Sequence, residues 1–213
     1  MTNVMDLSLL YHALKDRGLP YRIGAITPGD GNCYYTAVRQ NILHCVTNGS
    51  WPKDVHVPTV DELREMAINY LVTNKAKYVG QRIEDNRTVD GILSEEQFQN
   101  LIASQSKLDV YTDQDGLMVE AVAKVLDVEV TLVITNIGPL QVINSSEDPA
   151  KQLLKFSVGL IRLENNDNDD AVGHYQFIYY HPDGERDRFI MPTEHFPPPV
   201  RNRGNKFNIF IFY

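Results

Sequence analysis

The apolar residues change their spacing near the middle of this 213-residue chain, and this change constrains the fold more than any other feature. Before this change they recur every three or four positions, as in Leu117 to Leu126, which is typical of amphipathic helices. The next apolar run alternates with single intervening residues, as in a strand, and its members are Val128, Val130, Leu132 and Ile134. The sequence therefore predicts an α/β or α+β fold, with a mostly antiparallel sheet from the second half flanked by helices.

Two of the helix starts carry a capping signal. Thr59 and Glu62 stand at capping-box spacing before an apolar-periodic segment, and Ser94 and Gln97 repeat the pattern. The expected helices are residues 5–17, Tyr34 to Val46, two that begin after Thr59 and Ser94, and Leu117 to Leu126.

The β-type segments follow the helices, apart from a short extended piece ending at Ile26. The apolar run Phe207 to Tyr213 would aggregate if it were exposed, so we expect it to pair as a strand. Pro182-Asp183-Gly184 favours a hairpin turn. The other expected strands are Val128 to Ile134, Phe156 to Leu163, His174 to Tyr180 and the hairpin return Arg188 to Met191.

The charge balance disfavours nucleic acid as a partner. The chain has 20 Lys and Arg against 28 Asp and Glu, a formal charge of −8, whereas nonspecific nucleic-acid binding depends on a basic surface. A basic partner surface fits better. The sequence has no apolar run of membrane-span length and no N-terminal signal-peptide pattern, so we expect a soluble protein without a membrane partner.

The only cysteines are Cys33 and Cys45. Two cysteines cannot build a disulfide framework or a four-cysteine zinc site, which favours a reducing, cytoplasmic compartment and no metal.

Cys33 lies where the turn-rich run Thr27 to Asn32 changes to the helical pattern that begins at Tyr34. A helix N-terminus favours the thiolate form of cysteine, because its free N–H groups and dipole stabilise negative charge. Gly29 and Gly31 allow a tight turn in which main-chain N–H groups around Gly31, Asn32 and Cys33 could bind an oxyanion.

His174 is the best-placed of the six histidines to serve as a base for Cys33. It opens an aromatic strand after a polar loop, and Gly173 before it allows close approach. A lone cysteine and a lone histidine are more often core residues, so the residues alone leave that alternative open.

The run Gly29-Asp30-Gly31-Asn32-Cys33-Tyr34-Tyr35-Thr36-Ala37-Val38 resembles the nucleophile motif of the ovarian-tumour (OTU) family of cysteine deubiquitinases. Asp113 to Leu126 resembles the family's helix before a central strand, and His174-Tyr175 its His-Tyr signature. The resemblance implies a papain-like fold. It also implies a single domain over residues 1–213, with a core at about 22–180, the N-terminal helix 5–17 and a C-terminal strand extension 181–213.

The resemblance also implies roles. Cys33 becomes the nucleophile, His174 the general base and later acid, and Asp30 the acid of the motif. Some family members orient the histidine with an Asp or Asn two positions later, where this chain has Gln176, and others with the aspartate of the motif. Because the longer side chain of Gln176 is harder to fix, we rank Asp30 above Gln176 as the orienting residue. Gly31 and Asn32 would support the oxyanion, and Tyr175 is a supporting residue that could contact the substrate.

Ubiquitin or polyubiquitin is the implied partner, with no metal or organic cofactor. Ubiquitin's basic C-terminal tail could be held by the acidic loop before His174, although a merely solvated loop is the alternative. The carboxylates of this loop are Glu164, Asp167, Asp169 and Asp170.

Two other functions remain open at this stage: a non-catalytic ubiquitin-binding module on the same fold, and a viral or mobile-element polyprotease. We expect a cytoplasmic monomer, acting in the host cytosol if the protein is a secreted bacterial or viral effector.

Overall fold

The computed structural model of the protein describes residues 7–80, 93–106, 116–135, 140–144, 146, 151–162 and 173–181. Residue contacts divide the chain into two compact units. The first comprises residues 1–57, 131–142 and 156–213, and the second comprises residues 58–130 and 143–155. The single domain expected from the sequence stays a prediction.

The first unit contains helices α1 (Ser8–Asp16) and α2 (Cys33–Thr47). Helix α1 confirms the helix expected within residues 5–17, of which residues 5 and 6 lie outside the described part. Helix α2 begins one residue before the expected start, so that Cys33 is its first residue.

The second unit contains helices α3 (Val60–Thr73), α4 (Glu95–Ser106) and α5 (Leu117–Leu126), with a 3₁₀ turn (Lys75–Lys77) after α3. Both predicted capping boxes form. The Thr59 amide donates to Glu62 Oε2 at 2.7 Å, and the Ser94 amide donates to Gln97 Oε1 at 2.8 Å. Each box satisfies main-chain donors that a helix start leaves open.

A five-stranded sheet has the strand order β1–β5–β4–β2–β3. Strands β1 and β4 both pair with β5 in antiparallel orientation, and the predicted α+β fold is confirmed. The predicted strands at residues 188–191 and 207–213 lie outside the described residues. Strand β3 was not expected from the sequence. The strands are β1 (Tyr21–Ile23), β2 (Val128–Ile134), β3 (Gln141–Asn144), β4 (Leu154–Arg162) and β5 (Gly173–Tyr180).

Successive side chains of a strand point to opposite faces. Helices α1 and α2 contact alternate residues of β5 and therefore lie on its opposite faces. On one face, Tyr175 packs on Tyr34 of α2 and Tyr179 packs on His44 of α2, each with ring centroids 5.0 Å apart. On the other face, Ile178 belongs to an apolar cluster with Leu7 and, from α1, Leu10 and Leu14.

Strand β1 covers only part of the edge of β5. Its three residues pair with Ile178 to Tyr180, and among the described residues no strand continues along that edge toward His174. The chain after β1 covers it instead. The Gly24 amide donates to the Phe177 carbonyl at 3.0 Å, and the Phe177 amide donates to Thr27 Oγ1 at 3.2 Å. The residues between β1 and α2 are thereby fixed against β5.

This close approach requires a glycine at position 24, since a Cβ atom there would lie 2.2 Å from Cδ1 of Phe177. We expect Gly24→Ala to destabilise the protein by about 1–3 kcal/mol, because the Phe177 ring must move in a packed environment. Urea denaturation measures the loss. Adding Phe177→Leu should reduce the cost of Gly24→Ala, and an equal cost in both backgrounds would show that the clash with Phe177 is not its cause.

Candidate active site

Cys33 is placed by the turn that precedes α2. Gly31 has φ +81°, a left-handed conformation that favours glycine, and Asn32 is the N-cap residue. Cys33 follows as the first helical residue and its side chain is only 2% exposed. The predicted placement of Cys33 at a turn-to-helix junction is confirmed, and its thiol lies where the helix dipole favours negative charge.

The sulfur of Cys33 lies against the edge of β5 that β1 leaves uncovered. The Tyr175 amide donates to Cys33 Sγ at 3.5 Å, a distance within reach for a sulfur acceptor. Tyr175 directly follows His174, so the structure brings the start of α2 to the histidine's own strand segment. An N–H group directed at sulfur stabilises negative charge there.

His174 is buried, with only 2% of its surface exposed. Burial lowers the pKa of its imidazole from 6.5 to about 4, because a buried site disfavours the charged ring. The negative charge of Asp30 and a hydrogen bond to the backbone of Thr27 both oppose this effect and raise the pKa. The ring is therefore uncharged at neutral pH and able to accept a proton.

Asp30 lies at the surface of the turn before Cys33. One carboxylate oxygen accepts the Asn32 amide at 3.0 Å, which closes the turn, and the negative charge acts on His174. The Asn32 amide, one of the expected oxyanion donors, is thus engaged by Asp30 in this structure. The assignment of Gly31 and Asn32 to the oxyanion stays a prediction.

Gln176 is fully buried, two residues after His174. Its Oε1 accepts the Thr27 amide at 3.1 Å, and its Nε2 donates to the carbonyl oxygens of Ala25 at 2.8 Å and Phe177 at 3.1 Å. These hydrogen bonds all go to the main chain, and they fix residues 25–27 beside β5.

Two residues of this network, Thr27 and Gln40, were missed by the sequence analysis. Thr27 is 2% exposed, and its hydroxyl donates to Gln40 Oε1 at 2.9 Å in addition to accepting the Phe177 amide. The sequence signal at Thr27, a polar residue before Pro28 in a glycine-rich run, indicates only a turn. Nothing in that pattern pairs Thr27 with β5.

Of the remaining predicted site residues, Tyr175 lies in the described part of the chain and the four acidic residues do not. Tyr175 is buried against Tyr34 of α2, so its ring contributes to packing. The acidic residues Glu164, Asp167, Asp169 and Asp170 lie outside the described residues, so their role stays a prediction.

In the described part of the chain, no three His, Cys, Asp or Glu side chains come close enough to hold a metal ion. Across the same ranges, none of the helices combines the length and apolar character that a bilayer crossing needs.

The model of the family described as OTU-like cysteine protease matches residues 28–181 of this chain. The comparison with curated proteins gives no match.

Among solved structures, the OTU domain of OTUD1 is 17% identical with a TM-score of 0.46, over 83% of this chain and 96% of that chain. An OTU deubiquitinase from Wolbachia pipientis wMel is 14% identical with a TM-score of 0.44, over 76% and 89%. A structure of an OTU deubiquitinase from the same organism bound to ubiquitin is 13% identical with a TM-score of 0.44, over 76% and 96%.

The buried histidine predicts a specific pH dependence of stability. Because the folded-state pKa of His174 lies below its ordinary value, the unfolded chain binds the proton first as the pH falls. Stability should fall between about pH 6.5 and about pH 4, by on the order of 3 kcal/mol from this residue. Denaturation at pH 7 and pH 4.5 measures the change. His174→Gln should show a smaller drop, and an equal drop in both proteins would contradict the assignment.

Proposed function

The chain belongs to the OTU-like cysteine protease family, and from this we propose that it is a cysteine-dependent deubiquitinase. It would hydrolyse the peptide or isopeptide bond at the C-terminus of ubiquitin. The observation that supports this most strongly is the position of Cys33. Its sulfur lies at the start of α2 and accepts a hydrogen bond from the residue after His174, within the residues that match the family model.

In the proposed reaction, the thiol proton of Cys33 passes to the uncharged ring of His174 as the sulfur attacks the carbonyl carbon of ubiquitin's terminal glycine. The tetrahedral intermediate collapses when His174 returns the proton to the leaving amine, which leaves a thioester. A water molecule then gives its proton to His174 and attacks the thioester, and Cys33 recovers its thiol as ubiquitin is released.

Asp30 supports this reaction through charge. The ring of His174 becomes positive in the transition state, and Asp30 is the negative group that favours that form. We assign oxyanion binding to the main-chain amides of the Gly31–Asn32 turn. The Asn32 amide must then exchange the Asp30 carboxylate for the substrate oxygen.

The proposed partner is ubiquitin or polyubiquitin. The formal charge of −8 suits its basic C-terminal tail, and we assign recognition of the tail to Glu164, Asp167, Asp169 and Asp170. Neither Cys33 nor Cys45 forms a disulfide, which fits a cytoplasmic protein, including one delivered to a host cell as an effector. We expect it to act as a single-domain monomer.

Hydrolysis of ubiquitin that carries a fluorogenic amide at its C-terminus tests the proposal. Cys33→Ala and His174→Ala should each abolish turnover, and the double variant should be no worse, because the two residues form one catalytic unit. Cys45→Ala, which removes the other buried thiol of α2, should keep wild-type turnover.

Two outcomes would contradict the proposal. Turnover that survives Cys33→Ala, or that is lost in Cys45→Ala, would make the nucleophile assignment wrong. A wild-type protein that binds ubiquitin without any turnover would be a binding module instead.

Asp30→Asn isolates the charge of Asp30. The amide oxygen of asparagine can still accept the Asn32 amide, so the turn is kept while the negative charge is lost. We expect kcat/KM to fall on the order of fivefold, since Asp30 is exposed and its effect is screened by water. The effect should shrink at high salt. An equal loss at low and high ionic strength would show that Asp30 acts through structure and not through charge.

A further inference from the structure

We propose that the main-chain carbonyl of Thr27 orients His174, and that Gln176 is a positioning residue that acts on His174 through Thr27. This inference rests on the proposed role of His174 as the base. It assigns the orienting function to a residue that the sequence motifs do not include.

Thr27 is held on three sides. Its amide donates to Gln176 Oε1 at 3.1 Å, its hydroxyl accepts the Phe177 amide at 3.2 Å, and the hydroxyl donates to Gln40 at 2.9 Å. Pro28 follows directly and restricts Thr27 to extended backbone conformations. The direction of the Thr27 carbonyl is therefore fixed before any substrate binds.

His174 forms a hydrogen bond with the backbone of Thr27, and the sign of its effect identifies the group involved. The bond favours the protonated ring, so the partner must be a hydrogen-bond acceptor. The amide of Thr27 is a donor and already serves Gln176. The acceptor is therefore the Thr27 carbonyl oxygen, the one acceptor that a peptide unit offers.

A carbonyl partner selects one tautomer of the neutral imidazole. Because a carbonyl only accepts, the ring nitrogen that faces Thr27 must carry the proton. The other ring nitrogen is then unprotonated and can accept the proton of Cys33. A base held in the wrong tautomer loses most of its activity, as in serine proteases whose orienting aspartate is replaced by asparagine.

The amide of Gln176 has only one satisfactory orientation. Its Oε1 faces the N–H of Thr27, while its Nε2 faces the carbonyl oxygens of Ala25 and Phe177. A flipped amide would set donor against donor and acceptor against acceptor. Gln176 thereby ties residues 25–27 to β5, the strand that carries His174.

The length of the Gln176 side chain distinguishes a role through Thr27 from direct contact with the His174 ring. An Asn at position 176 would supply the amide that some family members place two residues after the histidine. Its side chain is one methylene shorter and would not keep the bonds to Ala25 and Thr27. Gln176→Asn should therefore fail if Gln176 acts through Thr27, and should work if it acts on the ring directly.

The test compares Gln176→Ala and Gln176→Asn with a matched control, Asn41→Ala. Asn41 is also a buried amide that holds main chain in the same unit, with both of its side-chain atoms bonded to Ser157 at 3.0 Å. It lies on α2 and does not bond Thr27 or His174 through these contacts. We expect Asn41→Ala to lower the stability of the protein and to leave the orientation of the His174 ring unchanged.

The first readout is the ¹⁵N NMR spectrum of the His174 ring in the free protein at neutral pH, assigned by comparison with His174→Gln. Wild type and Asn41→Ala should show one tautomer, and both Gln176 variants a mixture. The second readout is hydrolysis, in which the Gln176 variants should lose about 100-fold in kcat with little change in KM. Thr27→Val, which removes the hydroxyl that holds Thr27 against Phe177 and Gln40, should resemble Gln176→Ala.

Two results would overturn the inference. A single tautomer and wild-type kcat in Gln176→Ala would reduce Gln176 to a structural residue. Full activity in Gln176→Asn would show a direct contact with His174. The tautomer measurement needs no substrate, so it separates the two proposals. No hydrolysis by a wild type with one tautomer, together with mixed tautomers in the Gln176 variants, would refute the proposed function and leave the orientation of His174 through Thr27 supported.

Discussion

The site depends on an edge of β5 that β1 does not cover. Main-chain groups on a buried strand edge must be paired, and β1 ends at Ile23, opposite Ile178. From there toward His174, the partners come from the connection to α2: Gly24 and Thr27 bond Phe177, and Cys33 accepts the Tyr175 amide. These hydrogen bonds pair the main-chain groups on the open edge of β5. They also hold the thiol of Cys33 beside the strand that carries His174.

Burial and two neighbouring groups act in opposite directions on the pKa of His174. Burial lowers the pKa of the ring, which keeps the free base available at neutral pH. The same burial would make a positive ring costly during the reaction. Asp30 and the Thr27 backbone act in the opposite direction and favour the protonated form. In the proposed reaction, His174 would therefore start as an uncharged base, and these two groups would stabilise its positive charge as it forms.

The sequence predicted the features that depend on local pattern. The capping boxes at Thr59 and Ser94, the bounds of α5 and the position of Cys33 at the start of a helix all follow from spacing over a few residues. Strand β3 was missed because its four residues, Gln141–Asn144, are too few to show alternation. Local pattern was sufficient wherever the determining contacts were themselves local.

The partnership of Gln176 with Thr27 could not be predicted in the same way. It joins two residues 149 positions apart through one amide and one main-chain N–H. Periodicity carries no signal for such a contact. The family pattern has an Asp or Asn two residues after the histidine, and it carries no information on the longer side chain of Gln176, which bonds the main chain of Ala25 and Thr27.

We propose that Cys33, held at the edge of β5, is the nucleophile of a ubiquitin hydrolase. Incubation with ubiquitin that bears a C-terminal electrophile, followed by peptide mapping with mass spectrometry, tests it most directly, because a covalent adduct requires both recognition of ubiquitin and a reactive thiolate. We expect one ubiquitin attached at Cys33, in wild type and in Cys45→Ala alike. No adduct, or an adduct at Cys45, would contradict it.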